Sequence, residues 1–299
     1  GQGGWPTGVA PVIRILARLL LVVVSTFVVS AASAGNLTLD GRMVQGGMVV
    51  GRTDPGTVVK FQGKPIRVSP EGVFVIGFHR DAKPKASVVL QFPDGSRRTE
   101  ALDIKPRKYN IQRIDGLPPK MVTPPKTVLD RIKRENRLIK KARAEDSVVP
   151  HFLRGWQWPA KGRISGVYGS QRILNGKPRR PHYGIDIAAP VGTPIVAPSD
   201  GVVRLAERDL YYTGGTIILD HGHGLSSAFL HMQRVTVKPG QFVKQGQKIG
   251  TLGSTGRSTG PHLDWRINLF GARLDPQLLV PPMTPPKKNP KKNGKPAKR

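Results

Sequence analysis

The chain contains no cysteine, which excludes a disulfide framework and a lipidated N-terminal Cys. Acidic residues are scarce: 19 Asp and Glu face 48 Lys and Arg, a formal net charge of +29. Such an excess points to anionic partners. No nucleic-acid recognition motif accompanies it, so the charge alone does not make a nucleic-acid-binding protein. Long apolar runs are also nearly missing. The one that exists lies in VIRILARLLLVVVSTFVVSAASAG, where Arg14 and Arg18 precede the run and Ala32-Ser33-Ala34 ends it. This pattern predicts a secretory signal peptide over residues 1–34, cleaved after Ala34. An uncleaved anchor is the competing reading, since Ile15 to Ala34 is about the length of a membrane span. Arg18 inside the run and the small-residue site favour cleavage. Export then directs the positive charge toward anionic surfaces outside the cytoplasm.

The exported part reads as mainly β. Residues 35–118 carry short β-type runs broken by turn signals, NLTLDGRMVQGGMVVGR, TVVKFQGKPIRV, GVFVIGFHR and SVVLQFPDGSRR, with Asp94-Gly95 marking a hairpin. A small antiparallel sandwich or barrel is expected there, with spacing as its plainest role. Residues 119–150 hold a proline-rich turn and then TVLDRIKRENRLIKKARAED, a linker helix with a capping-box-like start at Thr127 and Asp130 and a narrow stripe of Val128, Ile132, Ile139 and Ala142. Residues 151–281 form a second β region whose V-x-x-G-Q repeat, Val237 to Gln241 and Val243 to Gln247, reads as two equivalent frame turns. The tail, 282–299, has seven Lys or Arg and no acid, cannot bury a core, and is expected to attach the protein electrostatically to an anionic envelope surface.

Chemistry concentrates in the second β region. Five of the seven histidines fall between 182 and 262. His182 and Asp186 stand four apart in PHYGIDIAAP, His262 and Asp264 two apart in STGPHLDWRIN, and His231 lies between them. Strand residues i and i+2 share a face, so each pair can point at one ion and leave a position open for water. A lone histidine beside an apolar run is more often structural, and for His221 and His223 in DHGHGL the turn reading is preferred. GSTGRSTGP is Gly-rich but lacks the Lys-Ser/Thr ending and following helix of a phosphate-binding loop.

HYGIDIAAPVGTPIVAPSDGVV, ILDHGHGLSSAFLHM and VKPGQFVKQGQKIGTLGSTGRSTGPHLDW, taken in that order over about residues 164–270, resemble the lysostaphin-type zinc metallopeptidases that cut cell-wall peptides. The resemblance implies a C-terminal antiparallel β-sheet domain of the duplicated-hybrid-motif kind, one Zn²⁺ ion, and peptidoglycan as partner. It makes His182 and Asp186 metal ligands and His231 and His262 catalytic histidines. It also places Tyr168, Arg172 and Asn175 at the substrate groove, with Arg172 able to meet a substrate carboxylate, while Arg179 and Arg180 read as surface-loop residues. The closing motif departs from the family's His-x-His. Asp264 stands where the third ligand is expected, and a carboxylate can bind zinc at a similar distance. Two carboxylates and one imidazole carry one more negative charge than the usual set, which weakens the Lewis acid.

The sequence therefore supports an exported zinc endopeptidase of peptidoglycan cross-links, periplasmic or envelope-associated. The alternative is a metal-free relic of the same fold that binds the wall or activates another hydrolase.

Overall fold

The protein is represented by a computed structural model that describes residues 35–115 and 126–283. The leader 1–34, much of the proline-rich turn and residues 284–299 of the basic tail lie outside the described residues, so the expectations placed on them are not addressed by it. Among the described residues no helix is long and apolar enough to cross a membrane.

The N-terminal region is a sandwich, as its alternating runs require. Leu37–Gly41, Met48–Thr53 and Val73–Gly77 form one antiparallel sheet. Lys64–Ile66, Val58–Phe61, Lys85–Gln91 and Arg97–Asp103 form the other, and Asp94-Gly95 sits in the hairpin between its last two strands. Phe74, Ile76 and Val49 meet Val59, Val88, Leu90 and Leu102 between the sheets. Val73–Gly77 is buried on both faces. Val73 and Val75, pointing opposite to Phe74 and Ile76, enter the C-terminal core together with Met48 and Leu274. A Cβ on Gly77 would lie 2.8 Å from the Leu274 side chain, so this strand packs closely against the C-terminal region. The sheet that carries this strand therefore contributes side chains to both cores.

The C-terminal region is built on a ten-stranded sheet whose main path runs Phe242–Val243, Gly201–Leu210, Gly214–Asp220, Leu225–Val235, His262–Leu269, Ile185–Ala188 and Arg163–Gly166. One face buries Ile185, Ile187, Phe229, Leu263, Trp265 and Ile267. On the other, Leu205, Ile218, Ala228 and Leu230 receive the linker helix, Leu129–Arg143, through Ala142 and Ile139. The helix is also clamped by a polar contact: buried Glu135 accepts from Arg131 Nε at 2.6 Å and from the Tyr211 backbone at 2.9 Å. Thr127 does not form the expected cap. A 3₁₀ turn, Lys126–Val128, leads in, and the N-cap residue Val128 is already helical (φ −104°, ψ −1°), so no extended residue presents a hydroxyl to the first turn. The V-x-x-G-Q repeat behaves as expected. Gln241 and Gln247 each accept from the backbone three residues earlier, at 3.1 Å in both copies.

Candidate active site

His262–Leu269 and Ile185–Ala188 pair antiparallel with Asp186 directly opposite Asp264 and Ile185 opposite Trp265. The isoleucine and tryptophan anchor the core face, so both carboxylates emerge on the other face. Backbone clears space for them. A Cβ on Gly166 would lie 2.2 Å from Asp186 Oδ2, and one on Gly184 2.5 Å from Asp264 Oδ1. His182, just before its strand, brings Nε2 to 3.2 Å from Asp186 Oδ1. One ligand atom from each of His182, Asp186 and Asp264 lies within 4.8 Å of the others. His182 Nε2 and Asp186 Oδ1 are both buried and without a hydrogen-bond partner. Two orphaned acceptors converging beside a third carboxylate is what a cation-binding site requires, and the donor set fits Zn²⁺. Burial disfavours charge on His182, but the Asp186 and Asp264 carboxylates outweigh it and hold its pKa above the ordinary histidine value.

The two remaining histidines face each other with ring centroids 4.8 Å apart. Each has Nδ1 against a carbonyl, His231 against Thr255 and His262 against Gly260, both at 2.8 Å. A carbonyl only accepts, so Nδ1 carries the proton and Nε2 is left as the acceptor. His262 Nε2 lies 3.9 Å from Asp186 Oδ1. Burial depresses the His231 pKa and favours its neutral form.

His231 reaches this position through a break in strand alternation. Phe229 points into the core and Leu230 away from it, so strict alternation would send His231 into the core. Its φ is instead +64°, and the pairing with Gly214–Asp220 shifts register here, Ile217 facing Phe229 but Gly215 facing Met232. The extra residue is a β-bulge that turns the imidazole toward His262.

Arg266, which strand alternation places on the face of His262 and Asp264, dominates the electrostatics. Two residues beyond Asp264 on the same face, it donates through Nη2 at 2.6 Å to Oδ2 and through Nε at 3.0 and 3.1 Å to the two oxygens. Asp264 is 3% exposed. Burial disfavours its charge, yet Arg266 and then His182 keep its pKa below the usual carboxylate value. Strand alternation was the signal available for this pair, because i and i+2 side chains are neighbours.

A cavity of about 760 Å³ opens beside His182 and Asp186. Arg172 lines it, and so do Arg179, Arg180 and Arg266. Arg179 and Arg180 are therefore groove residues and not merely parts of a surface loop. Asn110 and Gln112 contribute from the N-terminal side, because Ile111–Ile114 pairs in parallel with Gln171–Leu174. That attachment is reinforced by Arg107, whose Nη1 lies 2.8 Å from Asp275, and by Arg80, whose Nε donates to the Gly169 carbonyl at 2.9 Å.

Tyr168 and Asn175 are not among the residues that line this cavity. Tyr168 is 3% exposed and donates its hydroxyl to the Arg273 carbonyl at 2.7 Å, so its polar end is already satisfied inside the fold. Asn175 occupies the tip of the hairpin joining Gln171–Leu174 to Lys177–Pro178, where it and Gly176 have φ of +48° and +73°. Asn tolerates that left-handed conformation, which accounts for its place in the turn. His221 and His223 are structural as expected. His221 is fully buried with Nδ1 on the Asp200 carbonyl and Nε2 on Ser227 Oγ, both at 2.6 Å, and His223 Nε2 meets the Val148 carbonyl at 2.8 Å.

Comparison with known proteins places this geometry among relatives. The peptidoglycan DD-endopeptidases ShyA and ShyC of Vibrio cholerae serotype O1 are 39% identical over 127 residues and 45% identical over 122. These matches cover 42% and 40% of this chain but only 29% and 28% of the relatives, so the similarity spans under a third of their length. A solved structure from Pseudomonas aeruginosa assigned to peptidase M23 is 31% identical with a TM-score of 0.62, covering 80% of this chain and 95% of its own. Residues 180–276 match the sequence profile of the same family, and the chain belongs to Peptidase family M23.

Proposed function

We propose that the protein is an exported zinc endopeptidase that hydrolyses peptide cross-links of bacterial peptidoglycan. The observation that carries this reading is the convergence of two orphaned buried acceptors, His182 Nε2 and Asp186 Oδ1, on Asp264 beside a facing pair of histidines. The similarity to ShyA and ShyC supports the substrate class.

His182, Asp186 and Asp264 would hold the ion. A bound Zn²⁺ supplies Lewis-acid chemistry for amide hydrolysis. The other contributions come from the chain itself. His231 and His262, fixed by their Nδ1 hydrogen bonds, present Nε2 to take a proton from the attacking water and return it to the leaving amine. Once protonated, either ring can donate to the oxyanion. Arg172, Arg179 and Arg180 make the groove favourable for a peptide bearing free carboxylates. The signal-like leader and the basic tail support an envelope location and loose attachment to anionic surfaces.

One observation favours a second reading, a non-catalytic wall-binding or regulatory protein: both oxygens of Asp264 already accept from Arg266. A carboxylate has about four lone-pair sites, so this does not by itself displace an ion. The deciding experiment is metal analysis of the purified protein, followed by digestion of isolated peptidoglycan with product separation. Bound zinc and new cross-link cleavage products are expected. Metal-free protein that stays inert after zinc loading would leave the non-catalytic reading.

A further inference from the structure

The ligand set has a charge anomaly and, beside it, the group that corrects it. Asp186 and Asp264 are cross-strand neighbours, and two carboxylates with one neutral imidazole would give a cation a doubly negative site. Arg266 does not float over this site as a general basic residue. Its fork is spent on Asp264 through three contacts of 2.6 to 3.1 Å, with 27% of its side chain exposed against 4% for the carboxylate. Asp186 also lies within its electrostatic reach. Arg143, from the end of the linker helix, and Arg273, from Ala272–Leu274, add positive charge nearby. Arg273 donates to Asn268 instead, leaving Arg266 as the guanidinium on the ligand carboxylate.

We propose that Asp264 and Arg266 form one charge-balanced ligand unit, in which the guanidinium cancels the additional carboxylate while leaving lone pairs free for the ion. The site then offers a divalent cation the net charge of one carboxylate, which is what a neutral third ligand would have given. This rests on the zinc reading above and deepens it. Arg266 is a positioning residue that acts through Asp264, and its contribution is charge as well as orientation. Residue 264 and residue 266 are consequently coupled: a neutral ligand at 264 next to an unneutralised Arg266 repels the cation, and Asp264 without Arg266 attracts it more strongly.

The test is the zinc dissociation constant of the full chain by chelator competition, with thermal unfolding in chelator as the check on folding. Arg266→Gln should tighten zinc on the order of tenfold, because a like charge is removed from beside the ion. Arg266→Lys, which keeps the charge, should remain near wild type. Asp264→His should weaken binding, and Asp264→His with Arg266→Gln should recover it. Unchanged or weaker binding in Arg266→Gln overturns the proposal, as does a double variant that binds zinc no better than Asp264→His alone. If Arg266→Gln does not fold, Arg266→Lys decides, since loss of zinc with the charge retained makes orientation the whole role. Wild-type protein that takes up no zinc removes the proposed function and the ligand unit together. Zinc-binding wild type whose affinity ignores residue 266 removes only the unit.

Discussion

Ile185–Ala188 and His262–Leu269 lie side by side in register, yet treat their polar groups in opposite ways. On the first side, His182 Nε2 and Asp186 Oδ1 lie 3.2 Å apart, buried and without a hydrogen-bond partner. On the second, both oxygens of Asp264 accept from Arg266, and His262 is tied to Gly260. An unmade buried hydrogen bond costs about 1–3 kcal/mol, so the first half is poor as a stabilising element. The second half is a buried ion pair that depends on both partners. The contrast separates candidate ligands left without a hydrogen bond from a candidate ligand held by a counter-charge, although all belong to one cluster.

The largest effect that would test this contrast is on chemistry. His182→Ala or Asp186→Ala should abolish zinc uptake and lower peptidoglycan hydrolysis by about 10³-fold or more, measured by metal analysis and product release. In chelator, these variants should lose less thermal stability than a variant that breaks the second half.

A pH effect of about 3 kcal/mol comes next, from a histidine whose two ring nitrogens are both satisfied. Burial pushes His221 down to about 4. Its folded pKa lies below the unfolded value, so its contribution to stability is complete above about pH 6.5 and is lost as pH falls toward 4. Urea midpoints between pH 7 and 4.5 should fall steeply in wild type and less steeply in His221→Gln. Equal slopes would exclude His221 as the source.

Asp264→Asn should cost about 2 kcal/mol in the chelated protein, by leaving Arg266 without its counter-ion; the value is set below that of a fully buried pair because Arg266 is partly exposed. Denaturant unfolding measures it, and a cost below that of His182→Ala would reverse the comparison. The smallest effect should be Arg172→Ala, a roughly tenfold rise in KM with kcat little changed if Arg172 meets a substrate carboxylate, read from steady-state kinetics on a soluble cross-linked peptide.

Much of the molecule was legible because its signals are local. The Asp94-Gly95 hairpin, the paired V-x-x-G-Q turns and the strand pair carrying Asp186 and Asp264 follow from turn chemistry and alternation. What escaped depends on partners distant in sequence. Tyr168 has the composition of a groove residue, but its hydroxyl meets a carbonyl 105 residues away. Arg179 and Arg180 share their cavity with Asn110 and Gln112, which composition assigned wholly to the N-terminal module. Asn175-Gly176 was a readable hairpin signal that the reading of the sequence did not use. Thr127 lost its cap to a 3₁₀ entry that spacing does not reveal.

The bulge at His231 acts as a parity change along Leu225–Val235. Residues before it obey one odd-even assignment of faces and residues after it the reverse, so Phe229 and Met232, three apart, both enter the core. Losing one residue there would restore an unbroken alternation and improve the strand as a strand. It would also leave the sheet without the ring that faces His262. In this stretch the length of the chain is itself part of the site, and an indel can remove function where every chemical group has been kept.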